Sequence, residues 1–428
     1  MAGAPLDDRR TARGRDAMKA LQYRKSIPRY VLLRWLGPRA RWLYTSGASP
    51  VSLRDVPEPV LPTPQWVRIA PRLTGVCGSD VATIRASGSP YLGPITSMPF
   101  TLGHELVGTI VEVGGEAEEL AVGDRVVLHP ALGCRVRGID PPCDACRGGR
   151  EALCRNVAAG DISAGIQTGY CRDTGGGLGE NLVAHKSQAY KVPEDVSDTA
   201  AVLVEPFACA IHGALRASAS PDETVLVIGC GAIGLLTIAA LRATGCEARI
   251  VAVAKHDHQA EHAHRLGADD ILGTGGSVKP RYAAWASVLG ADVFDPELGK
   301  PTVVGGADVT YDCVASSRTI DDGIRFTRSG GTFVLVGMPG IPAGVDWTPL
   351  WFKELTIHAA YAYGPERCAD GTRETFDLAL ELMHEWEGKL APLVGTPYEL
   401  SDYRAAFAAA SSTGTSRAVK TVFRVNPG

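Results

Sequence analysis

The side chains best suited to chemistry in this chain are four cysteines that stand close together in sequence. They are Cys134, Cys143, Cys146 and Cys154, in a loop rich in Gly, Pro and Arg. Four thiolates form a closed tetrahedral zinc site, which is structural because no coordination position stays open. Asp140 precedes Cys143 by three residues, where a closely spaced ligand would stand, so the first ligand is either Cys134 or Asp140. Thiolate is the softer and commoner ligand, which favours Cys134.

A second set of candidate metal ligands is spread along the chain. Cys77 stands in GVCGSD, His104 and Glu105 in GHE, and Glu205 in VEPFACA. Cys, His and a carboxylate with one open position make a catalytic zinc site. Zinc in such a site polarises a carbonyl or acidifies a bound alcohol, so that a hydride can move. Each residue alone is more often structural, but together, beside a nucleotide-binding motif, they favour a catalytic site.

The motif GCGAIG stands between an apolar run that predicts a strand and a run that predicts a helix. In this context the first glycine allows a tight turn, the second lets a pyrophosphate approach the backbone, and the third lets the helix pack on the strand. The start of the helix then faces the phosphates. The cofactor-binding residues predicted from the motif are Gly229, Gly231, Ala232, Ile233 and Gly234.

The next predicted strand indicates which dinucleotide binds. An NAD-binding fold usually places Asp or Glu about 20 residues beyond the glycines, to hold the ribose 2′-hydroxyl. Here that position is Ala254, followed by Lys255 and His256. A small residue followed by cations accepts a 2′-phosphate, whereas an acid would repel it, so the sequence favours NADP(H) over NAD(H). Asp257 is the nearest acid and would restore NAD binding if the strand ended later.

These motifs together resemble the medium-chain, zinc-dependent alcohol dehydrogenase family, which includes polyol and threonine dehydrogenases. Besides the motifs above, the resemblance rests on GHELVGTIVEVG, GDRV and LGAD, and it covers roughly residues 50–428. It implies a GroES-like catalytic domain, discontinuous in sequence, beside a Rossmann domain. It also implies hydride transfer between NAD(P)(H) and an alcohol–carbonyl pair in the cleft between them, with two zinc ions per chain.

The resemblance assigns roles residue by residue. Cys77 and His104 match the catalytic-zinc ligands, and Ser79 matches the hydroxyl that takes the alcohol's proton. Glu105 matches an acid that binds zinc directly in some members only. Glu205 matches the carboxylate that replaces a third cysteine in the polyol branch, so the direct carboxylate ligand is Glu105 or Glu205. The structural-zinc set is the cysteine loop described above.

Three features depart from the family pattern. Ala82 stands where many members have the histidine that ends the proton relay. The linker from Cys134 to Cys143 is longer than the usual two residues, and segment 274–306 is longer than such proteins need. Two alternatives stay open, and the missing histidine leaves room for the first of them. One is a family reductase acting on an activated C=C or C=N bond without catalytic zinc, and the other is a non-catalytic NADPH-binding protein.

The distribution of polar, apolar, Gly and Pro residues along the chain predicts its domains. A polar, basic and aperiodic stretch over 1–17 predicts a disordered tail, and short alternating runs broken by Gly and Pro predict a β barrel. Apolar strands that alternate with helices then predict a doubly wound parallel sheet, giving an α/β fold. The predicted limits are 18–202 for the GroES-like domain, 203–358 for the Rossmann domain and 359–428 for the return to the first domain.

The segment 18–60 mixes aromatic residues with arginines, as in YVLLRWLGPRARWLY. A basic amphipathic stretch of this kind could touch a membrane surface. We expect instead a pair of strands packed against the body, because no sustained helical period is present.

Composition excludes several classes of protein. The chain has 43 Lys+Arg against 47 Asp+Glu, a net charge of −4, which argues against nucleic-acid binding. Its 11 cysteines do not form a secreted disulfide pattern, so we expect a cytoplasmic protein. The uncharged run TVLVIGCGAIGLLTIAAL contains three glycines and predicts strand, turn and helix rather than a membrane span. The expected partners are a small, polar alcohol or carbonyl and, from the resemblance, further copies in a homodimer or homotetramer.

Overall fold

The structure is a computed structural model that describes residues 17–368, 371–412 and 417–426. The predicted disordered tail lies outside the described residues, apart from Ala17, which begins the first strand. The strands are β1 (Ala17–Tyr23), β2 (Val51–Pro57), β3 (Trp66–Gly75), β4 (Phe100–Thr101), β5 (Glu105–Val113), β6 (Arg125–Leu128), β7 (Leu182–His185), β8 (Ala189–Lys191), β9 (Thr224–Ile228), β10 (Arg249–Ala254), β11 (Asp270–Gly273), β12 (Asp292–Phe294), β13 (Thr302–Val304), β14 (Ala307–Asp312), β15 (Thr327–Leu335), β16 (Thr356–Ala359), β17 (Pro365–Cys368), β18 (Gly371–Glu374), β19 (Tyr398–Glu399) and β20 (Val422–Arg424).

The helices alternate with the strands most regularly in the second half of the chain. They are α1 (Ile27–Leu36), α2 (Gly78–Ile84), α3 (Asp144–Arg147), α4 (Asp198–Ala201), α5 (Val204–Ala214), α6 (Ala232–Ala243), α7 (Asp257–Leu266), α8 (Val278–Leu289), α9 (Ser317–Phe326), α10 (Thr348–Phe352), α11 (Thr375–Leu390) and α12 (Tyr403–Ser411). Short 3-10 helices lie at Arg41–Thr45, Pro90–Ile95, Glu151–Leu153, Lys186–Gln188, Ala391–Leu393 and Leu400–Asp402. In the described part of the chain, no helix combines the length and the apolar character needed to cross a bilayer.

Six parallel strands form the α/β layer, in the order β11-β10-β9-β14-β15-β16. Counted from β9, this is the 3-2-1-4-5-6 order of the Rossmann fold. Successive residues of β9 enter different cores: Val225 and Val227 pack with α6 and α7, while Leu226 and Ile228 pack with α8 and α9. Helices therefore cover both faces, and the predicted doubly wound parallel sheet is confirmed.

A second, mainly antiparallel sheet has the order β19-β20-β3-β5-β6-β8, with β7 paired to β3. Its β20 comes from the end of the chain and pairs with β3 through Val422 and Gly75, so the chain does return to its first half. The predicted boundary after residue 358 falls inside β16, which completes the parallel sheet. The α/β fold with a GroES-like domain is confirmed.

The segment between β1 and β2 differs from the prediction. The two strands pair antiparallel from Ala17↔Pro57 to Tyr23↔Val51, as expected. Between them, however, the chain forms α1 and the 3-10 helix Arg41–Thr45. The sequence pattern does not predict α1 because most of its apolar side chains are exposed, and Leu33 is the buried residue of the helix. The helix therefore lacks the periodic apolar face, directed at a core, by which helices are identified in a sequence.

Candidate functional site

Three candidate ligands meet where β3 and β5 lie side by side. Cys77 caps the start of α2 just beyond β3, His104 directly precedes β5, and Glu105 is the first residue of β5. Gly75 pairs with Glu105 in the antiparallel register, which brings these segments together. The ligand atoms of Cys77, His104 and Glu105 all lie within 4.8 Å of one another, and both His104 and Glu105 are buried.

The charges of this cluster favour a cation. Burial lowers the pKa of His104, but the charge and hydrogen bond of Cys77, together with Asp80 and Glu205, raise it from 6.5 to about 10. A position that stabilises an added proton so strongly has excess negative charge for a metal ion to neutralise. The Nδ1 atom of His104 is also buried without a hydrogen-bond partner among the described residues. Thiolate, imidazole and carboxylate are the donors that Zn²⁺ takes, so these residues fit a zinc ion.

Glu205 lies outside this three-residue group. It is the second residue of α5 and is buried, with the Sγ atom of Cys209 at 3.7 Å from its Oε1 atom. Burial raises its pKa to about 7, although the charges of His104 and Lys420 act in the opposite direction. The structure thus places Glu105 beside Cys77 and His104. It places Glu205 close enough for its charge to raise the pKa of His104. Both carboxylates stay candidates for the direct ligand.

Two residues of this site gave no signal in the sequence. The Nζ atom of Lys420 forms a buried ion pair with the Oε2 atom of Glu105, from the far end of the chain. Tyr170 places its ring centroid 6.2 Å from that of His104, and its hydroxyl lies 3.1 Å from the Oγ1 atom of Thr83. Neither residue stands in a ligand-like motif, so only the pairing of distant strands and loops could identify them.

Ser79 stands in the first turn of α2. Its Oγ atom is buried, and the hydroxyl of Tyr170 lies close enough to bond with it. The neighbouring Asp80 accepts a hydrogen bond from the backbone N–H of Cys77 at 3.0 Å, and the Oγ1 atom of Thr83 donates to the carbonyl of Ser79 at 2.9 Å. The backbone around Ser79 is therefore held firmly, and the Tyr170 hydroxyl is the neighbour of its side chain.

The four loop cysteines form a separate group. Their Sγ atoms all lie within 4.8 Å of one another. The Sγ atoms of Cys134 and Cys154 are 3.6 Å apart, and the backbone N–H of Cys143 donates to the Sγ of Cys134 at 3.3 Å. Asp140 is exposed and lies outside the group. The geometry therefore fits a tetrahedral zinc ion held by Cys134, Cys143, Cys146 and Cys154.

The glycine motif lies between β9 and α6, with Ala232 and Ile233 opening the helix. Gly229 has φ +96°, a conformation that favours glycine. A β-carbon at position 234 would lie 1.7 Å from the carbonyl oxygen of Gly229, so the helix and strand touch there. At Gly231 a β-carbon would meet no heavy atom within 4 Å, which leaves open space above the helix start. The three positions fit a dinucleotide pyrophosphate.

Strand β10 pairs in parallel with β9, so the end of β10 lies beside the glycine motif. Ala254 is the last residue of β10, Lys255 is exposed, and His256 caps α7. Asp257, the acid that could restore NAD binding, is the first residue of α7 rather than part of the strand. The described strand thus ends without an acid.

Family models and relatives match most of the chain. Residues 63–194 match the alcohol dehydrogenase GroES-like domain, and residues 232–385 match the zinc-binding dehydrogenase domain. L-Idonate 5-dehydrogenase of Vitis vinifera is 31% identical over 86% of this chain and 90% of its own length. Sorbitol dehydrogenase of Arabidopsis thaliana is 29% identical over 85% of this chain and 89% of its own length.

Solved structures agree on the fold. 2R,3R-Butanediol dehydrogenase of Bacillus subtilis covers 96% of this chain and 100% of its own, at 25% identity and a TM-score of 0.68. A zinc-binding dehydrogenase of Sinorhizobium meliloti bound to NADP, at 22% identity, has a TM-score of 0.67 and covers 96% of this chain and 100% of its own. The resemblance predicted from the motifs is confirmed, and the chain belongs to the zinc-dependent, medium-chain polyol dehydrogenase family of alcohol dehydrogenases.

Proposed function

We propose that the protein transfers a hydride between NADP(H) and a polar alcohol–carbonyl pair, with one catalytic and one structural zinc per chain. The observation that carries the proposal is the convergence of Cys77, His104 and Glu105, which lie at adjacent ends of two paired strands, into one largely buried group. Such a mixed Cys, His and carboxylate set leaves a coordination position for substrate, whereas the four-cysteine group leaves none.

In this proposal, bound zinc supplies a Lewis acid for the substrate oxygen, and the nicotinamide ring supplies or accepts the hydride. Cys77, His104 and a carboxylate hold the metal, and the carboxylate is Glu105 or Glu205. Ser79 takes the alcohol's proton on its Oγ atom, which is buried beside the Tyr170 hydroxyl. With Ala82 in place of a relay histidine, the proton leaves Ser79 for the cofactor ribose or for water. Lys420 balances the charge of Glu105.

The preference for NADP(H) rests on the end of β10. The exposed Lys255 offers positive charge to a ribose 2′-phosphate, the cap residue His256 offers a ring N–H, and Ala254 offers neither charge nor bulk. A carboxylate at the end of this strand would hold the ribose 2′-hydroxyl and repel a 2′-phosphate. A small residue there, followed by a cation, therefore favours NADP(H).

The substrate class is proposed from Glu205 and from the relatives. Curated relatives of this chain are named for idonate, sorbitol and xylulose, which are polar and hydroxylated. Sugars, cyclitols and hydroxy-amino compounds are therefore the first substrates to test. Cys77 and the four loop cysteines are thiols rather than disulfides, which suits the cytoplasm, and the family makes a homodimer or homotetramer the expected assembly.

Zinc content per chain, measured by elemental analysis of protein purified without added metal, tests the proposal. We expect about two zinc ions in the parent and about one in Cys77→Ser, which keeps NADPH binding but loses turnover. Cys146→Ser is the matched control, because it removes a thiolate from the other group. One zinc in the parent, retained in Cys77→Ser and lost in Cys146→Ser, would refute the catalytic zinc and favour reduction of an activated C=C or C=N bond.

A further inference from the structure

Helix α1 turns its apolar side chains outward. Ile27, Val31 and Trp35 follow one another at four-residue spacing and are 66%, 50% and 75% exposed. Leu32 and Leu36 lie beside them and are also exposed. We call these five side chains the α1 face. A helix on a protein surface normally buries its apolar stripe, so an outward apolar stripe marks a surface that another body covers.

The surroundings of the α1 face are strongly basic. The sequence has no Asp or Glu from Ala17 to Arg54, although the whole chain carries a net charge of −4. Around the helix stand Arg24, Lys25, Arg29, Arg34, Arg39 and Arg41. None of these six has an ion-pair partner among the described residues. The positive charge is therefore not neutralised within the described part of the chain.

The arginines lie on both flanks of the α1 face. At 100° per residue, the α1 face covers about half of the helix circumference, with Arg34 next to Ile27 at one edge and Arg29 next to Leu36 at the other. Arg29 donates to the carbonyl oxygen of Ser49 at 3.1 Å, and Arg34 donates to that of Ala86 at 3.3 Å. These bonds fix the helix to the folded body, so the α1 face is presented as a rigid surface.

We propose that the α1 face docks on an anionic lipid bilayer, with its apolar side chains inserted at the level of the headgroups. Exposed Trp and aliphatic side chains between basic flanks are the signature of a helix that lies in a membrane interface. Trp favours this depth, and basic side chains gain from anionic lipids. With ten residues the helix rises about 15 Å, half of the hydrocarbon thickness, so it lies on the bilayer and does not span it.

Charge excludes the other simple occupants. A second copy seated on this face by two-fold symmetry would bring Arg29 and Arg34 of both copies together, and like charges oppose such a contact. Residues 1–16 carry four arginines and, as large apolar side chains, only Met1 and Leu6, so they are poorly suited to cover the α1 face. An anionic surface satisfies both the apolar stripe and its flanks.

Co-sedimentation of the full chain with vesicles tests the proposal. We expect binding to vesicles of equal parts phosphatidylcholine and phosphatidylglycerol, and little binding to phosphatidylcholine alone. Raising NaCl from about 0.1 M to about 1 M shortens the Debye length from about 10 Å to about 3 Å and should weaken the binding. Arg29→Glu/Arg34→Glu and Val31→Ser/Trp35→Ser should each lower the partition coefficient at least about 10-fold.

Matched variants separate docking from general effects. Lys279→Glu/Arg367→Glu makes the same change in net charge on α8 and β17, and Trp351→Ser removes another exposed Trp, 68% exposed. Both should bind vesicles like the parent, and every variant should keep its NADPH affinity, although Arg29→Glu/Arg34→Glu also loses the hydrogen bonds to Ser49 and Ala86. Equal binding of the α1 variants and the parent, or no binding to anionic vesicles, would overturn the proposal. A doubled mass in solution that Val31→Ser/Trp35→Ser abolishes would assign the α1 face to a second copy instead.

Discussion

Two glycines of one motif should respond in opposite ways to the same small change. Gly231→Ala should leave the protein folded but impair cofactor binding, whereas Gly234→Ala should destabilise the fold itself. The reason is the space beside each position. A β-carbon at Gly231 meets no heavy atom within 4 Å, while one at Gly234 lies 1.7 Å from the carbonyl oxygen of Gly229.

The magnitudes follow from these distances. Real β-carbons stay at least 3.0 Å from such an atom, so α6 has to move away from β9 by at least 3.0 − 1.7 = 1.3 Å in Gly234→Ala. Overpacking against backbone that cannot rotate away should cost about 3 kcal/mol. At Gly231, φ −78° and ψ −170° suit alanine. Alanine is a weaker helix cap than glycine, which should lower the free energy of unfolding by several tenths of a kcal/mol. Alanine also reduces the conformational entropy of the unfolded chain, which should raise it by a similar amount, so the net change should stay within about 0.5 kcal/mol.

Urea unfolding without cofactor and fluorescence titration with NADPH measure the two effects separately. Because the second glycine is where the pyrophosphate approaches the backbone, Gly231→Ala should weaken NADPH binding at least about 10-fold, or about 1.4 kcal/mol. Parent-like NADPH affinity in Gly231→Ala would refute the placement of the pyrophosphate. Parent-like stability in Gly234→Ala would refute the close contact between α6 and β9.

Three further predictions concern charge. Ala254→Asp should move the ratio of kcat/KM values for NADPH and NADH toward NADH at least about 10-fold, because a carboxylate at the end of β10 repels the 2′-phosphate and binds the 2′-hydroxyl. In metal-free protein, Lys420→Met should lower the free energy of unfolding by about 3–5 kcal/mol by leaving the Glu105 carboxylate buried without its ion-pair partner, and adding Glu105→Gln should recover most of the loss in urea unfolding. Burial, with Glu151, Asp377 and Glu366, raises the pKa of Glu374 from 4.5 to about 7, so the folded state binds this proton more tightly than the unfolded state and stability falls as the pH rises across that window. Glu374→Gln should therefore flatten the loss of thermal midpoint between pH 4.5 and pH 7, and an unchanged pH profile would contradict the buried charge.

Local patterns in the sequence carried most of the functional prediction. The glycine motif predicted its own turn, because the roles of its glycines depend on one strand, one turn and one helix that are adjacent in the chain. The cysteine loop likewise contains its whole candidate site within residues 134–154. The alternation of apolar strands and helices from Val204 onward predicted the parallel sheet for the same reason, since each β-α unit is read within a short window.

Contacts between residues that are far apart in the chain could not be predicted from the sequence. Lys420 reaches Glu105 only because β20 and its flanking residues return to β3. Asp140 had the spacing of a ligand, yet the folded loop leaves it exposed and turns Cys134 inward. Helix α1 was missed because sequence patterns detect helices by the stripe they bury, and α1 exposes its stripe. The sequence by itself thus determined the local chemistry and the family. The tertiary structure decided which distant charges meet and which apolar surface faces outward, because both depend on the path of the whole chain.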